Sequence, residues 1–352
     1  LRSGGIMKKM RFAVVGAGAI ARAYEAAFRE TKSAEIVAVC DVHEPAAQAM
    51  AASAGCASYR SVPALLHCAE FDAAVVCTPP STHESVACQL LEAGKHVLCE
   101  KPLAIDVAGA KRMLESSRAS GTVLTMASKF RYAADVRKAR ELLLSGEIGE
   151  LVFAENAFTS FVDMRTRWNS NAAVSGGGVL MDNGTHAVDI LRYFLGTLRD
   201  IQVVEGRRMQ GLAVEDTVRI FVHNTDGVMG AADLSWSIDK ELDTYLRIYG
   251  SAGTILVGWK ESRFRRRHES EWHTFGKGYD KIQAFRDQLE NFCGAIEGAQ
   301  RLVVTPEDGL ASVEVIAAAY AALSQARWQG IASAVSEVEF APIGQRRMAA
   351  AS

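Results

Sequence analysis

The feature that most constrains this chain is a glycine loop between an apolar strand and a helix. Residues 16–21 read Gly-Ala-Gly-Ala-Ile-Ala and directly follow the apolar run Arg11–Val15. Such a loop lets a pyrophosphate approach the backbone, and the N-terminus of the next helix supplies amide donors. Glycines also form ordinary tight turns, so the strand–loop–helix setting is what makes the loop informative. It predicts a dinucleotide-binding sheet, with these residues at the cofactor: Gly16, Gly18, Ala19 and Ile20.

Asp41 strengthens this interpretation and bears on the choice of cofactor. It ends the second predicted strand, 20 residues after Ala21. A carboxylate there accepts hydrogen bonds from the adenosine ribose and repels a 2′-phosphate. The next residues, Val42 and His43, include no arginine that would bind such a phosphate. The sequence therefore favours NAD over NADP, and the alternative is an ordinary turn followed by a capping aspartate.

Residues 11–127 alternate between short apolar runs and alanine-rich segments with helical spacing. This pattern is typical of successive βα units around a doubly wound parallel sheet. We predict strands at 11–15, 35–40, 73–77, 96–98 and 122–126, with helices near 19–30, 44–54, 82–93 and 106–120.

Beyond Lys129 the pattern changes to an α+β domain. We predict a helix at 134–145, a strand from Leu151, a helix at 182–195, and helices at 280–297 and 306–325. Between them, runs at 201–209, 214–223, 228–237, 243–250 and 253–260 are separated by turn residues and predict a large, open-faced antiparallel meander.

We accordingly divide the chain into a Rossmann domain at 7–128 and a substrate-binding and oligomerisation domain at 129–345, and exclude Leu1–Ile6. One face of the second sheet should pack against helices. The apolar residues of Val214–Phe221 and Val228–Trp236 then require a cover on the other face. We expect a homodimer or homotetramer that assembles through this sheet.

Charge and cysteine content exclude several classes of partner. The 39 Lys and Arg nearly balance the 41 Asp and Glu, which disfavours nucleic acid or an anionic membrane and favours a small neutral ligand. The basic run Arg263–Arg267 is flanked by Glu261, Glu269 and Glu271 and is interpreted as a solvated strand without function. Seven scattered cysteines, with no Cys-x-x-Cys pair, are typical of a reducing compartment, so we expect a cytoplasmic protein.

Glu100-Lys101-Pro102 follows the strand predicted at 96–98, at the carboxyl edge where doubly wound folds bind their ligands. A lysine there can reach a nicotinamide and stabilise alkoxide character on a substrate oxygen. The alternative is a surface lysine beside a proline turn. The Thr78-Pro79-Pro80 corner should form part of the same rim.

The segment 176–189 carries a polar stripe. Asp182, His186 and Asp189 are spaced four and three residues apart, so a helix places them on one face toward the cleft. Histidine exchanges protons near neutral pH, and a carboxylate beside it favours its charged form. Metal binding is the alternative use of such a face, but Lys101 would oppose a cation and no zinc-type ligand pair is present, so we predict no metal.

Together the loop at 16–21, Cys-Thr-Pro-Pro-Ser-Thr-His at 77–83, Glu-Lys-Pro at 100–102 and the segment 176–189 resemble the glucose–fructose oxidoreductase/inositol dehydrogenase/MocA (Gfo/Idh/MocA) family over nearly the whole chain. The resemblance implies that Lys101 is the catalytic lysine, Asp182 its partner and His186 the acid/base. It also implies further residues at the cofactor: Thr78, Pro79, His83, Glu100 and Lys101.

One departure is Ala133-Ala134, where many members carry a proline, and this leaves the roles of Lys129 and Arg131 open. Just before the glycine run lie Arg165, Arg167 and Trp168. An arginine there would suit a carboxylate or phosphate of a substrate and the indole a sugar ring, or the three would simply belong to a surface loop.

The predicted activity is NAD-dependent hydride transfer between nicotinamide and a secondary hydroxyl of a sugar, inositol or related polyol. His186, assisted by Asp182, takes the proton while Lys101 holds the oxygen. Two alternatives remain in the same family: a non-catalytic dinucleotide-binding regulator and a glycosidase that uses NAD transiently.

Overall fold

Two sheets organise the chain, and the computed structural model describes residues 9–332. One sheet has six parallel strands and the other has nine strands that are mostly antiparallel. The predicted fold class, a Rossmann domain followed by an α+β domain, is therefore confirmed. The excluded Leu1–Ile6 and the domain limits at 7 and 345 lie outside the described residues. Within residues 9–332, no helix combines the length and apolar character needed to cross a membrane.

The first sheet has the strand order β3-β2-β1-β4-β5-β6, and neighbouring strands pair in parallel. Its strands are β1 (Met10–Val15), β2 (Ala34–Cys40), β3 (Ala57–Tyr59), β4 (Ala73–Val76), β5 (His96–Cys99) and β6 (Leu124–Met126). Its helices are α1 (Ala19–Glu30), α2 (Glu44–Ala54), α3 (Val62–Cys68), α4 (His83–Glu92) and α5 (Val107–Ser120).

The sequence missed two of these elements, β3 and α3. The strand β3 is Ala-Ser-Tyr, which has no apolar run, and α3 spans two helical turns, too short for a clear helical period. The remaining elements of this domain agree with the predicted ones to within a few residues.

The second sheet has the order β14-β13-β12-β11-β7-β10-β9-β8-β15. Its strands are β7 (Leu151–Thr159), β8 (Leu198–Glu205), β9 (Thr217–Asn224), β10 (Met229–Ser235), β11 (Thr244–Gly250), β12 (Gly253–Gly258), β13 (Ser262–Arg266), β14 (His273–Gly276) and β15 (Gln329–Gly330). The helices are α6 (Ala134–Leu144), α7 (Ala172–Ser175), α8 (Val179–Leu195), α9 (Lys281–Ile296) and α10 (Pro306–Gln325).

The predicted meander is wrong at its centre, because β7 lies between β10 and β11 and pairs with β10 in parallel. The inward-facing side chains Ala154 and Phe158 of β7 pack in the same core as α8. A strand that makes this contact lies at the centre of the sheet. β7 precedes α8 in the chain, whereas its parallel partner β10 follows that helix. Such a pairing is not visible as a succession of strands and turns in the sequence.

The outer face of the nine-stranded sheet is less apolar than the sequence suggested. Along β9, Val218, Ile220 and Val222 point inward and are buried, while Arg219 and His223 point outward. Ion pairs cross the outer face, with nitrogen–oxygen distances of 3.3 Å for Arg219–Asp233 and 3.2 Å for Arg247–Glu155. The apolar residues of 214–221 thus pack mostly against helices, and the outer face is a mixed surface of paired charges and rings.

The last helices return to the first domain. From α9, Phe285, Leu289 and Phe292 join the core of the parallel sheet, while α10 contributes to the cores of both domains. A single domain boundary near residue 128 therefore marks where the chain first leaves the parallel sheet. It does not describe how α9 and α10 come back to that sheet. The packing of α9 and α10 holds the two domains together.

Candidate functional site

A cleft of about 1590 Å³ lies along the carboxyl edge of the parallel sheet and extends to the second sheet. Its volume exceeds the usual range of small-molecule pockets and suits a dinucleotide together with a second small ligand. Most of the predicted site residues line it: Gly16, Gly18, Ala19, Ile20, Asp41, Thr78, Pro79, Glu100, Lys101, Trp168, Asp182 and His186.

The glycine loop forms one end of the cleft. Gly16 has φ +94°, and a Cβ there would lie 2.7 Å from backbone atoms of Cys77 and Thr78, so only glycine fits. Asp41 contacts the loop through its carboxylate. Its Oδ2 accepts a hydrogen bond of 2.7 Å from the backbone amide of Ala17, and its Oδ1 accepts one of 2.7 Å from the backbone amide of His43. The carboxylate positions the loop and remains in the cleft wall.

His83 does not lie in the lining that the sequence predicted for it. Its ring is buried, and the two ring nitrogens lie 2.8 Å from the carbonyl oxygens of Pro102 and Thr78. Burial lowers the pKa of this imidazole. The geometry corrects the assignment, since His83 holds together the two loops that carry Thr78 and Lys101 and does not face the cleft.

Lys101 and Asp182 form an ion pair that spans the two domains, with side chains only 15% and 25% exposed. The Lys101 ammonium also donates a hydrogen bond of 3.1 Å to the carbonyl oxygen of Asp182. Lys101 follows β5, and Asp182 lies in the first turn of α8. The pair places a cation where the dinucleotide half of the cleft meets the second domain.

Glu100 supports Lys101 from within the first domain. Its carboxylate is 7% exposed and accepts hydrogen bonds from the Tyr24 hydroxyl (3.0 Å) and the Lys101 amide (3.2 Å). Gln288 of α9 donates in turn to the Tyr24 oxygen at 2.8 Å. Burial raises the pKa of Glu100. This chain of contacts fixes the backbone from which Lys101 extends.

His186 lies one helical turn after Asp182 on α8 and lines the cleft. Its ring stands edge-on to Phe130, with 5.2 Å between ring centroids. Burial, and then the positive charges of Lys101 and Lys129, hold the pKa of His186 well below its ordinary value. The expectation that a nearby carboxylate favours the charged form is wrong here, because the Asp182 carboxylate pairs with Lys101. His186 is therefore a neutral base near pH 7.

Asp189 does not belong to the cleft, although it shares a helix face with Asp182 and His186. It is 3% exposed, and its Oδ1 lies 2.7 Å from a guanidinium nitrogen of Arg131. Arg131 also contacts Asp308 of α10 at 3.2 Å. Along α8 the polar positions pass from the cleft at Asp182 into the protein interior at Asp189. The Asp189 carboxylate therefore contacts the buried Arg131. Arg131 is thereby a structural connector.

Arg165 is also outside the cleft lining. Its side chain is exposed and pairs with Asp163 at 2.7 Å. Trp168, 47% exposed, does line the cleft, and so do Arg167 and Lys129, whose roles the sequence left open. Three further lining residues were missed: Arg60, Trp259 and Lys260. Trp259 follows β12, and no motif precedes it, so only the fold brings it to this cavity.

Glu215 is a further missed residue, and it anchors the helix that carries Asp182. Its buried Oε1 accepts hydrogen bonds from the amides of Gly178 (3.0 Å) and Leu180 (3.1 Å). A Cβ on Gly178 would lie 2.1 Å from the Glu215 carbonyl oxygen, which explains this glycine. An anion at a helix N-terminus is favourable, and this one fixes where α8 begins.

The loop end of the cleft fits a nicotinamide dinucleotide. Gly16 leaves the backbone open to close approach, and α1 begins at the loop with Gly18 as its cap. The Thr78 hydroxyl oxygen is buried in this wall without a hydrogen-bond partner in residues 9–332, so it is free to bind a ligand.

Comparison with known proteins identifies two family matches along the chain. Residues 10–128 match the GFO_IDH_MocA oxidoreductase family, NAD-binding Rossmann fold, and residues 136–256 match the GFO/IDH/MocA C-terminal domain. Together these matches extend over both sides of the cleft.

Two curated relatives are dehydrogenases. Inositol 2-dehydrogenase of Rhizobium meliloti (strain 1021) is 25% identical over 343 residues, which covers 92% of this chain and 99% of the relative. D-glucoside 3-dehydrogenase of Escherichia coli (strain K12) is 36% identical over 191 residues, 53% of this chain and 54% of that protein.

Among solved structures, GenD2 from gentamicin A biosynthesis, in complex with NAD, is 26% identical with a TM-score of 0.82 and covers 94% of this chain and 99% of its own. Structures of this fold also include an NADH complex and an oxidoreductase described as NADPH-dependent, so the fold alone does not choose the cofactor. The chain belongs to the Gfo/Idh/MocA oxidoreductase family and is an enzyme of the dehydrogenases and reductases that act on CH–OH groups.

Proposed function

We propose that this protein is an NAD-dependent dehydrogenase of a secondary hydroxyl on a sugar, inositol or related polyol. The observation that carries the proposal is the convergence of Lys101, Asp182 and His186 where the dinucleotide half of the cleft meets a half walled by Trp168 and Trp259. Indole faces suit sugar rings, and a neutral imidazole beside a cation suits removal of a hydroxyl proton.

Each protein group has a defined part in this chemistry. Lys101 donates to the substrate oxygen and stabilises its developing negative charge, while Asp182 holds the ammonium in place. His186 accepts the hydroxyl proton through its neutral ring. When bound along the glycine loop, NAD supplies the acceptor for the hydride that leaves the carbinol carbon, so the alcohol becomes a ketone, NAD becomes NADH and one proton is released. In the reverse direction His186 returns the proton to the oxygen.

The proposed preference for NAD over NADP is supported by Asp41. Its carboxylate lies in the wall of the loop end and would repel a 2′-phosphate. Arg60 lines the same cleft and would favour NADP, but its guanidinium pairs with Glu44 at 3.3 Å. We therefore expect Arg60 to contact the adenosine half without reversing the preference.

The test is NADH formation, followed by absorbance, with a panel of aldoses, inositols, polyols, sugar acids, sugar phosphates and glycosides. Net NADH formation with at least one of them supports the proposal. Release of a free sugar from a glycoside with no net NADH would instead identify a glycosidase. Tight NAD binding with no turnover of any substrate would identify a regulator.

A further inference from the structure

A second lysine lines the cleft, and no carboxylate of the described residues pairs with its charge. Lys129 follows β6, next to the position where Lys101 follows β5 in the adjacent strand. Its ammonium lies 5.4 Å from the ring centre of Phe130 and 5.9 Å from that of Phe285. Within residues 9–332 the Lys129 ammonium has no side-chain hydrogen bond and no carboxylate oxygen within 4.0 Å. Aromatic faces stabilise the cation weakly, and a buried cation without a partner is costly.

The surroundings of Lys129 leave an excess of positive charge. The charged groups that act on it are Glu100 and Lys101 after β5, Asp182 on α8 and Lys281 on α9. Asp182 is paired with Lys101, and Glu100 already accepts hydrogen bonds from Tyr24 and Lys101. Three lysines, including Lys129, thus face two carboxylates, an excess of one positive charge. His186, whose pKa Lys129 helps to lower, is neutral near pH 7 and adds no charge.

The rim of the cleft on the second domain offers carboxylate acceptors beside the cations Arg167 and Lys260. The exposed carboxylates of Asp239, Glu241 and Asp243 line its rim on the second domain. Carboxylates are hydrogen-bond acceptors and suit the hydroxyl groups of a polyol. A ligand with an anionic end inside and hydroxyl groups outside matches both ends of the cavity.

We propose that Lys129 is a specificity residue that binds a carboxylate of the substrate, so that the preferred substrates are acidic sugars such as uronic or aldonic acids. This inference rests on the proposed dehydrogenase function and narrows its substrate class. A carboxylate supplies the single negative charge that the site lacks, whereas a phosphate dianion exceeds it and a cationic amino sugar adds to the repulsion.

The proposal carries a pH dependence. Burial, together with the positive charges of Lys101 and Lys281, lowers the pKa of Lys129 to about 8 against the opposing effect of Glu100 and Asp182. A bound carboxylate favours the charged form and raises this pKa. Affinity for the acid should therefore be full below pH 8 and decline as the pH rises above 8, whereas affinity for a neutral sugar should not follow Lys129.

The experiment compares neutral and acidic partners, D-glucose with D-glucuronate and D-galactose with D-galacturonate, on the full chain with saturating NAD. We expect the parent protein to favour the acid in kcat/KM. Lys129→Met should lower kcat/KM for the acid roughly 10- to 100-fold, mostly through KM, which is the usual value of a charge-assisted hydrogen bond. On the plateau of each protein's pH profile, kcat/KM for the neutral sugar should change less than about threefold, and Lys129→Arg should recover part of the loss for the acid. Lys138→Met, which removes a surface lysine paired with Glu141, is the matched control and should change neither.

Equal kcat/KM for acid and neutral sugar, or equal losses for both in Lys129→Met, would overturn the proposal, as would a preference for glucosamine or glucose 6-phosphate. The direct binding of each acid is measured separately by quenching of tryptophan fluorescence, since Trp168 and Trp259 line the cleft. If no compound yields NADH but glucuronate binds in a Lys129-dependent way, the dehydrogenase assignment fails while the carboxylate site stands.

Discussion

The Lys101 ammonium contacts the Asp182 carboxylate although the two residues are 81 positions apart and belong to different domains. The pair couples the geometry of the parallel sheet to the first turn of α8. Any change that shifts α8 relative to β5 therefore separates the groups that would act on one substrate oxygen. Glu215, which fixes the start of α8, and Glu100, which fixes the backbone of Lys101, hold this relationship from either side.

Cofactor choice tests the role of Asp41. We expect the parent protein to bind NAD far more tightly than NADP, and Asp41→Ser to narrow the difference because it removes the charge that repels a 2′-phosphate. The variant should also weaken NAD, since Asp41 accepts the amide of Ala17 that positions the loop. Fluorescence titration with NADH and NADPH measures both. Equal affinities in the parent protein would rule out this role for Asp41.

The pH profile tests the protonation state of His186. Its pKa lies well below 6.5, so kcat/KM for alcohol oxidation with a neutral substrate should not fall on the acid side until the pH is below 6.5. Removing a positive neighbour raises the pKa of a base, so Lys129→Met should move this acid limb to higher pH. Initial rates between pH 5 and 9, with Lys138→Met as control, measure the shift. An unmoved limb would show that Lys129 does not act on the titrating group.

Arg131 tests the buried connector between domains. Its replacement in Arg131→Met leaves Asp189 and Asp308 without their shared cation in the interior. We expect a loss of about 3–5 kcal/mol in the free energy of unfolding, the usual result of breaking a buried ion pair. Arg165→Met removes an exposed pair with Asp163 and should change stability little. Denaturant unfolding of both variants measures the difference, and equal stabilities would contradict the connector role.

Assembly tests the outer face of the nine-stranded sheet. We expect two copies to pack through this face, where Phe153 and Tyr249 are stacked rings among the paired charges. Arg247→Glu should weaken assembly because it places a like charge beside Glu155. Sedimentation velocity at micromolar concentration provides the readout. A parent protein that sediments as a monomer would exclude this assembly.

Local sequence patterns were sufficient for much of this account. The Gly16 loop, Asp41 and the Glu100-Lys101 pair each lie within one βα unit, and periodicity placed Asp182 and His186 on one helix face. The predictions that were wrong concern residues that long-range packing brings together. Asp189 follows the same period but meets Arg131, which only the folded chain brings to it. Glu215 and Trp259 were missed because a helix start and the strand order bring them to the site. Lys129, whose role the sequence left open, lies there because β6 neighbours β5, and β7 pairs out of chain order because of the same long-range packing.

The central claim is that Lys101, Asp182 and His186 act on the substrate and do not hold the adenosine half of the cofactor. Its most direct test is His186→Asn, examined by steady-state NADH formation with the best substrate from the panel and by fluorescence titration of NADH. We predict that NADH affinity stays within a few-fold while kcat falls by ~10²–10⁴, the usual contribution of a positioned acid/base. Normal turnover with NADH binding intact would show that another group accepts the proton and would contradict the account.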